Sequence, residues 1–217
     1  MPARRSWQFV AVAALASCGS DPSVAPDDAA ANVAAAPALV EAASNAAASP
    51  VAEPAPGITP LTAEGWGPLR IGMTLAEVAA AAGPDSDPEA VGGPEPESCD
   101  IFHPARAPEG LMVMIEDGRL ARISLSAPTA VRTERGLGPG ATAAAVKAAY
   151  GDALTASPHE YEEAPAEYLT LWTKGGGDEA YVRSPDARGL RYEVDHSGTV
   201  AATHAGGPAI QYVEGCL

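Results

Sequence analysis

The chain reads as an α+β protein made of two tandem repeats, each a short helix followed by antiparallel strands. Three observations predict this. Leu69-Arg70-Ile71-Gly72-Met73-Thr74 leads into Val78 and Gly83, and Leu137-Gly138-Pro139-Gly140-Ala141-Thr142 leads into Val146 and Gly151, with Leu, Gly, Thr, Val and Gly recurring 68 residues apart. Each copy carries helix punctuation: Thr74 can cap with Glu77 at the third position, Gly83-Pro84 stops that helix, and Thr142 and Gly151 bracket the second. Each copy then reaches a hairpin signal, Asp117-Gly118 in the first and His196-Ser197-Gly198 in the second.

Ahead of the repeats the N-terminus has a different character. Arg4 and Arg5 precede a short apolar run from Trp7 to Leu15, a charged region and an apolar region of signal-peptide length, too short to span a hydrocarbon core. The run ends in Leu15-Ala16-Ser17-Cys18, which resembles the lipobox of bacterial lipoproteins. That resemblance implies a signal peptide over residues 1–17, cleavage before Cys18 and lipidation of its sulfur. It also implies a periplasmic protein held to a membrane by acyl chains. Gly19 stands where an aspartate would mark inner-membrane retention in such proteins, so the implied address is the periplasmic face of the outer membrane.

Residues 18–60 are expected to be a disordered tether. The stretch from Gly19 to Pro60 is mostly alanine, proline, serine and small acids, with no lysine, arginine or aromatic residue. It cannot bury enough apolar surface to offset its ordering entropy. Alanine favours helix, but prolines at 22, 26, 37, 50, 54 and 56 break one. As a coil this length spans roughly 35 Å on average.

The remaining chain divides by the repeat into residues 61–131 and 132–217. In the first, Leu111 to Ile115 and Leu120 to Leu125 are strands around a turn that needs positive φ. In the second, Leu190, Tyr192 and Val194 alternate with Arg191, Glu193 and Asp195, and the chain returns through Thr199 to His204. Gly118 and Gly198 are 80 residues apart, so the second copy is longer by about a dozen residues. The extra length falls in 159–179, which holds Glu160, Glu162, Glu163, a strand from Tyr168 to Thr173 and Gly175-Gly176-Gly177. Ile210 to Cys216 has the pattern of a final strand.

Gly72-Met73-Thr74-Leu75-Ala76-Glu77-Val78 with Gly83-Pro84 resembles the helix-opening motif of the SmpA/OmlA lipoprotein family, to which the BamE subunit of the outer-membrane barrel-assembly machinery belongs. Tandem copies of such a unit are similar to the β-lactamase inhibitor protein. The resemblance covers some fifteen residues per copy and implies helices packed on an antiparallel sheet. Ala82 stands where the family has leucine and Ala141 replaces Met73 in the second copy, so no partner-binding residue is carried over.

Cysteine arithmetic follows from the lipobox. With Cys18 lipidated, Cys99 and Cys216 remain as an even pair in an oxidising compartment, and a disulfide between them is expected. Two buried free thiols are the alternative.

Chemistry-bearing motifs are sparse. The histidines at 103, 159, 196 and 204 lack metal-ligand spacing, and no phosphate loop or Gly-x-Ser-x-Gly elbow occurs. Asp195-His196-Ser197 are consecutive, which suits a turn and not a relay. The acids Glu160, Glu162, Glu163, Asp178 and Glu179 read as a solvated loop, with calcium binding the lesser reading because no EF-hand loop frames them. Trp66, Trp172 and tyrosines 161, 168, 181 and 192 form a binding face or, more simply, core. No catalytic residue, cofactor or metal ligand is therefore assigned.

Residues 61–217 carry 11 Lys and Arg against 23 Asp and Glu, a net charge of −12, so nucleic acid and anionic lipid surfaces are poor partners and a basic or neutral protein is favoured. The expected function is a membrane-tethered periplasmic lipoprotein acting as a non-enzymatic protein-binding or envelope-scaffold module. An inhibitor or ligand-sequestering module is the first alternative and a periplasmic enzyme the second.

Overall fold

The computed structural model describes residues 58–90, 92–177 and 181–216. The chain divides into two units, Met1–Asn45 and Ala46–Leu217, and the described residues all belong to the second. Cys18, the signal-peptide segment and nearly all of the expected tether lie outside them, as do Asp178 and Glu179.

Antiparallel strands dominate, as the α+β expectation requires. A two-stranded ribbon, β1 (Gly65–Trp66) and β2 (Leu69–Arg70), precedes helix α1 (Leu75–Ala82). Three strands follow: β3 (Cys99–Phe102), β4 (Leu111–Glu116) and β5 (Arg119–Ser126). Helix α2 (Ala143–Tyr150) then leads to β6 (Thr155–Pro158), β7 (Glu167–Lys174), β8 (Arg188–Val194) and β9 (Val200–Gly206). The last seven strands form one antiparallel sheet in the order β3-β4-β5-β9-β8-β7-β6. Strands β5 and β9 therefore pair at its middle.

Local chemistry explains the boundaries. The Thr74 hydroxyl accepts from the Glu77 backbone N–H while the Glu77 carboxylate accepts from the Thr74 N–H at 2.8 Å, a reciprocal capping box. Thr142 caps α2 through the Ala145 N–H. At the first hairpin both Asp117 (φ 49°) and Gly118 (φ 71°) have positive φ, the left-handed pair that a two-residue turn demands.

Each helix is tied to a hairpin by three backbone hydrogen bonds. Gly72 donates to Leu120, Leu120 to Met73, and Leu75 to Gly118. In the second half Gly140 donates to Val200, Val200 to Ala141, and Ala143 to Gly198. Both helices bury one valine completely, Val78 and Val146, against the sheet face that carries Val113, Ile123, Leu125, Leu169, Tyr192 and Val194. Because strand side chains alternate, the opposite face receives Met114, Arg122, Ser124, His204, Arg191, Glu193 and Tyr168.

The C-terminus corrects one expectation. Ile210 to Cys216 is not a strand: Pro208–Gln211 is a 3₁₀ turn and the chain then bends across the sheet. Since β9 already has β5 on one side and β8 on the other, a following segment finds no free edge beside it. Pro208 at the start of the turn also favours a helical entry over a paired one. Strands β3 and β6, at the two sheet edges, are absent from the sequence expectation; β6 is exposed throughout and has no apolar alternation to announce it.

Candidate functional site

The second sheet face is where the chain concentrates its polar chemistry, and the C-terminal segment lies over part of it. Arg122 on β5 is 7% exposed and Arg191 on β8 is 8% exposed. The Arg122 Nη1 donates to the carbonyl oxygens of Ala209 (3.2 Å) and Tyr212 (3.1 Å), and the Arg191 Nη1 approaches that of Ile210 at 3.5 Å. Burial depresses both guanidinium groups below their ordinary range, Arg122 to about 10. Ile210 is buried against Gly189, where a methyl group would stand 3.0 Å from its Cδ1 and 2.8 Å from the Trp172 ring. Further along, the Tyr212 hydroxyl donates to Glu116 at 2.8 Å. Cys216 stands at disulfide distance from Cys99, with Cα atoms 5.4 Å apart, as the cysteine arithmetic expects.

A second segment, residues 159–163, approaches from the other end of the sheet. His159 Nδ1 accepts from the backbone N–H groups of Tyr161 (3.2 Å) and Glu162 (3.1 Å), which leaves Nε2 to donate to Glu193 at 3.3 Å. Its ring stacks on Tyr168 with centroids 4.6 Å apart, and the Arg191 guanidinium lies 3.8 Å from the same Tyr168 ring. Tyr161 reaches across to donate its hydroxyl to Glu214.

Between these two segments opens a cleft of about 670 Å³. Its lining includes Glu116, Glu160, Tyr161, Tyr181, Tyr212 and Glu214. Tyr161 is 64% exposed, Tyr181 42% and Val213 40%; with Leu75 they are the exposed large hydrophobic residues among those described, and three of the four share this one cleft. Single exposed apolar side chains are ordinary, whereas a group of them in one concavity marks a binding surface. The Tyr212 phenol is pushed well up, first by burial and then by its hydrogen bond to Glu116, so it stays a neutral donor. Among the described residues, Glu116, Glu160 and Glu214 have no Lys, Arg or His nitrogen within 4.0 Å.

The expected aromatic face is thus divided. Tyr161 and Tyr181 line the cleft, Tyr168 and Tyr192 are buried, and Trp66 donates its indole N–H to the Thr59 carbonyl. Tyr192 is core on the helix side, its hydroxyl donating to Thr133 at 3.2 Å and lying 3.0 Å from that of Tyr150.

The structure also joins residues that sequence spacing left apart. The Ser124 hydroxyl lies 2.9 Å from His204 Nδ1, and His204 Nε2 lies 3.5 Å from Glu193. Burial lowers His204 to about 4, so at neutral pH it is uncharged, accepting from Ser124 and donating to Glu193. The Glu193 carboxyl is held down to about 2, chiefly by the His204 hydrogen bond, with His159 adding to it. This chain superficially resembles a nucleophile relay, but Ser124 is 6% exposed on a central strand and does not line the cleft. It locks β5, β9 and β8 together. Alternation already put Arg191 and Glu193 on one face of their strand; the pairing of Glu193 with His159, 34 residues away, and of His204 with Ser124, 80 residues away, carried no local signal.

Asp195 behaves as turn chemistry: its Oδ1 accepts from the Ser197 N–H, the Ser197 hydroxyl and the Thr199 N–H. Glu162 accepts from the His196 backbone N–H at 2.8 Å. Among the described residues no group of three His, Cys, Asp or Glu is placed to hold a metal ion, and no helix is long and apolar enough to cross a membrane. No protein-family model, no curated protein and no solved structure matches this chain.

Proposed function

We propose that this chain is a lipid-anchored periplasmic binding module, non-enzymatic, which engages a protein partner of the envelope through the cleft between residues 159–163 and the C-terminal segment. The observation that carries the reading is the gathering of Tyr161, Tyr181 and Val213 in one concavity. A chain that needed only to be stable would gain by burying them.

Three features support the rest of the reading. Arg4-Arg5, the apolar run and Leu15-Ala16-Ser17-Cys18 supply the export and lipidation pattern, with outer-membrane delivery following from Gly19. The alanine- and proline-rich segment to Pro60 supplies reach. The two sets of three helix-to-hairpin hydrogen bonds, offset by the same 68 and 80 residues as the sequence copies, support tandem repeats of one unit whose last strands pair at the sheet centre. The burial of Ser124, 6% exposed on a central strand and paired with His204, favours a structural role for the Ser124, His204 and Glu193 network.

Two experiments test this. Globomycin treatment or Cys18→Ala should leave unprocessed precursor, and a soluble mature form in untreated cells would overturn the anchor. A photo-crosslinking residue at Tyr161 in living cells should capture one discrete envelope protein, while the same residue at Leu75, also exposed but outside the cleft, should not. No adduct at Tyr161, or the same adduct at both positions, would overturn the cleft as the binding surface.

A further inference from the structure

The cleft's lining also selects the chemistry of what fills it. Tyrosine rings attract cations over their faces, and carboxylates add a direct charge term. This cleft combines Tyr161, Tyr181 and Tyr212 with Glu116, Glu160 and Glu214, and among the described residues its lining includes no lysine, arginine or histidine. One of its rings already has a guanidinium against it: Arg183 lies 5.2 Å from the centroid of Tyr181.

Charge removes the occupants closest at hand. Gly19 to Pro60 has five acidic residues and no Lys or Arg, so the chain's own tether is repelled. A second copy brings the same net −12 over residues 61–217. Shape removes a small free amine, because tyrosines that are 64% and 42% exposed contact an occupant from one side only, whereas small-ligand sites enclose most of the ligand. One-sided aromatic surface beside carboxylates that, among the described residues, have no Lys, Arg or His nitrogen within 4.0 Å suits the flank of a macromolecule, although Glu116 also feels the charge of the buried Arg122.

We propose that the cleft takes a basic, Lys- or Arg-bearing segment of a partner protein, with Tyr161 and Tyr181 packing along its side-chain stems and Glu116, Glu160 and Glu214 drawing in its charges. This rests on the reading of the chain as a protein-binding module and specifies the partner's surface. Attraction of this kind is screened by salt and acts strongly on the association rate.

The test uses the full-length lipoprotein in detergent micelles and a fluorescein-labelled octapeptide, Gly-Ser-Lys-Arg-Lys-Arg-Gly-Ser, with its four central residues replaced by Gln or by Glu as controls. The Lys/Arg peptide should bind by anisotropy, more weakly as salt rises, and the Gln and Glu peptides should not. E116Q/E160Q/E214Q should weaken binding about tenfold, the sum expected of three partly exposed charges. E160Q/E214Q changes exposed positions only, so it should stay folded and show an intermediate loss. E89Q/E109Q/E134Q removes the same charge from exposed positions outside the cleft and should leave affinity nearly unchanged.

Equal losses in the two triple variants, or equal binding of the Gln peptide, would overturn the proposal. So would displacement of the labelled peptide by stoichiometric spermidine, which would make the site one for small amines. A Tyr161 crosslink to a partner segment without basic residues would overturn this inference and leave the binding module standing. Absence of both crosslink and peptide binding would remove both.

Discussion

Arg122, on the central strand β5, donates through Nη1 to the carbonyl oxygen of Tyr212 at 3.1 Å, although the two residues are 90 apart in sequence. This contact, with its companion to Ala209, gives the C-terminal segment a hydrogen-bonding anchor in place of a strand partner. Arg122→Met keeps much of the stem and removes the donor, so two carbonyl oxygens lose their partner. A loss of about 2 to 3 kcal/mol is expected. Hydrogen exchange should show faster opening of residues 208–216 with little change in β4. Unchanged exchange there would mean that the apolar seat of Ile210 holds the segment alone.

Cys99→Ser/Cys216→Ser should destabilise the domain by about 2 to 4 kcal/mol, because the bridge closes a long loop and removes unfolded-chain entropy. The bond separation is 117 residues, which places the cost toward the upper end. Urea unfolding of the exported protein with and without reductant measures it. Coincident transitions would contradict the expected contribution.

Stability should fall on acidification in two stages. His204 is lowered from 6.5 to about 4 by burial, so the folded protein resists a proton that the unfolded chain accepts. Stability is therefore full above pH 6.5 and is lost as pH falls toward 4, by on the order of 3 kcal/mol. Glu193 is lowered from 4.5 to about 2, chiefly by the His204 hydrogen bond, so its contribution is present above 4.5 and is lost as pH falls through 2. His204→Gln should flatten the melting temperature between pH 6.5 and 4 and, because His204 is the chief hold on Glu193, should also shrink the more acidic fall. A slope that persists in the variant would place the titration on another group.

Val78→Ala and Val146→Ala should each cost about 1 to 3 kcal/mol, since both side chains are fully buried at the helix-sheet contact. Comparable losses in thermal unfolding are expected if the two helices serve equivalent units. A cost confined to one of them would count against the proposed repeat.

Gly189→Ala should loosen the C-terminal segment without touching any hydrogen bond in it. The added methyl would meet the Leu171 carbonyl at 2.7 Å and the Trp172 ring at 2.8 Å, and would press on Ile210. Fluorescence of Trp172 and exchange at residues 208–212 read the displacement. Wild-type values for both would show that the strand yields there.

The sequence by itself determined the elements whose causes are local. Thr74, Glu77, Thr142, Gly83 and Gly151 set helix ends because caps act over three or four residues. Asp117-Gly118 set the first hairpin because the turn needs two left-handed residues in succession. Strand-like runs around turn signals gave β4, β5, β7, β8 and β9, and setting aside Cys18 on its lipobox-like context left Cys99 and Cys216 as the expected pair. Tertiary structure decided what depends on neighbours distant in the chain. The pairing of β5 with β9 closed both inner edges and sent Pro208 to Cys216 across the sheet, against its strand-like pattern. That placement buried Arg122 and Arg191, which composition alone assigns to solvent, and brought Glu214 to Tyr161 to complete the cleft. A cap or turn is encoded within one window of sequence, whereas a cleft is the space left when segments 53 or 90 residues apart meet on one surface, a consequence of packing that no window contains.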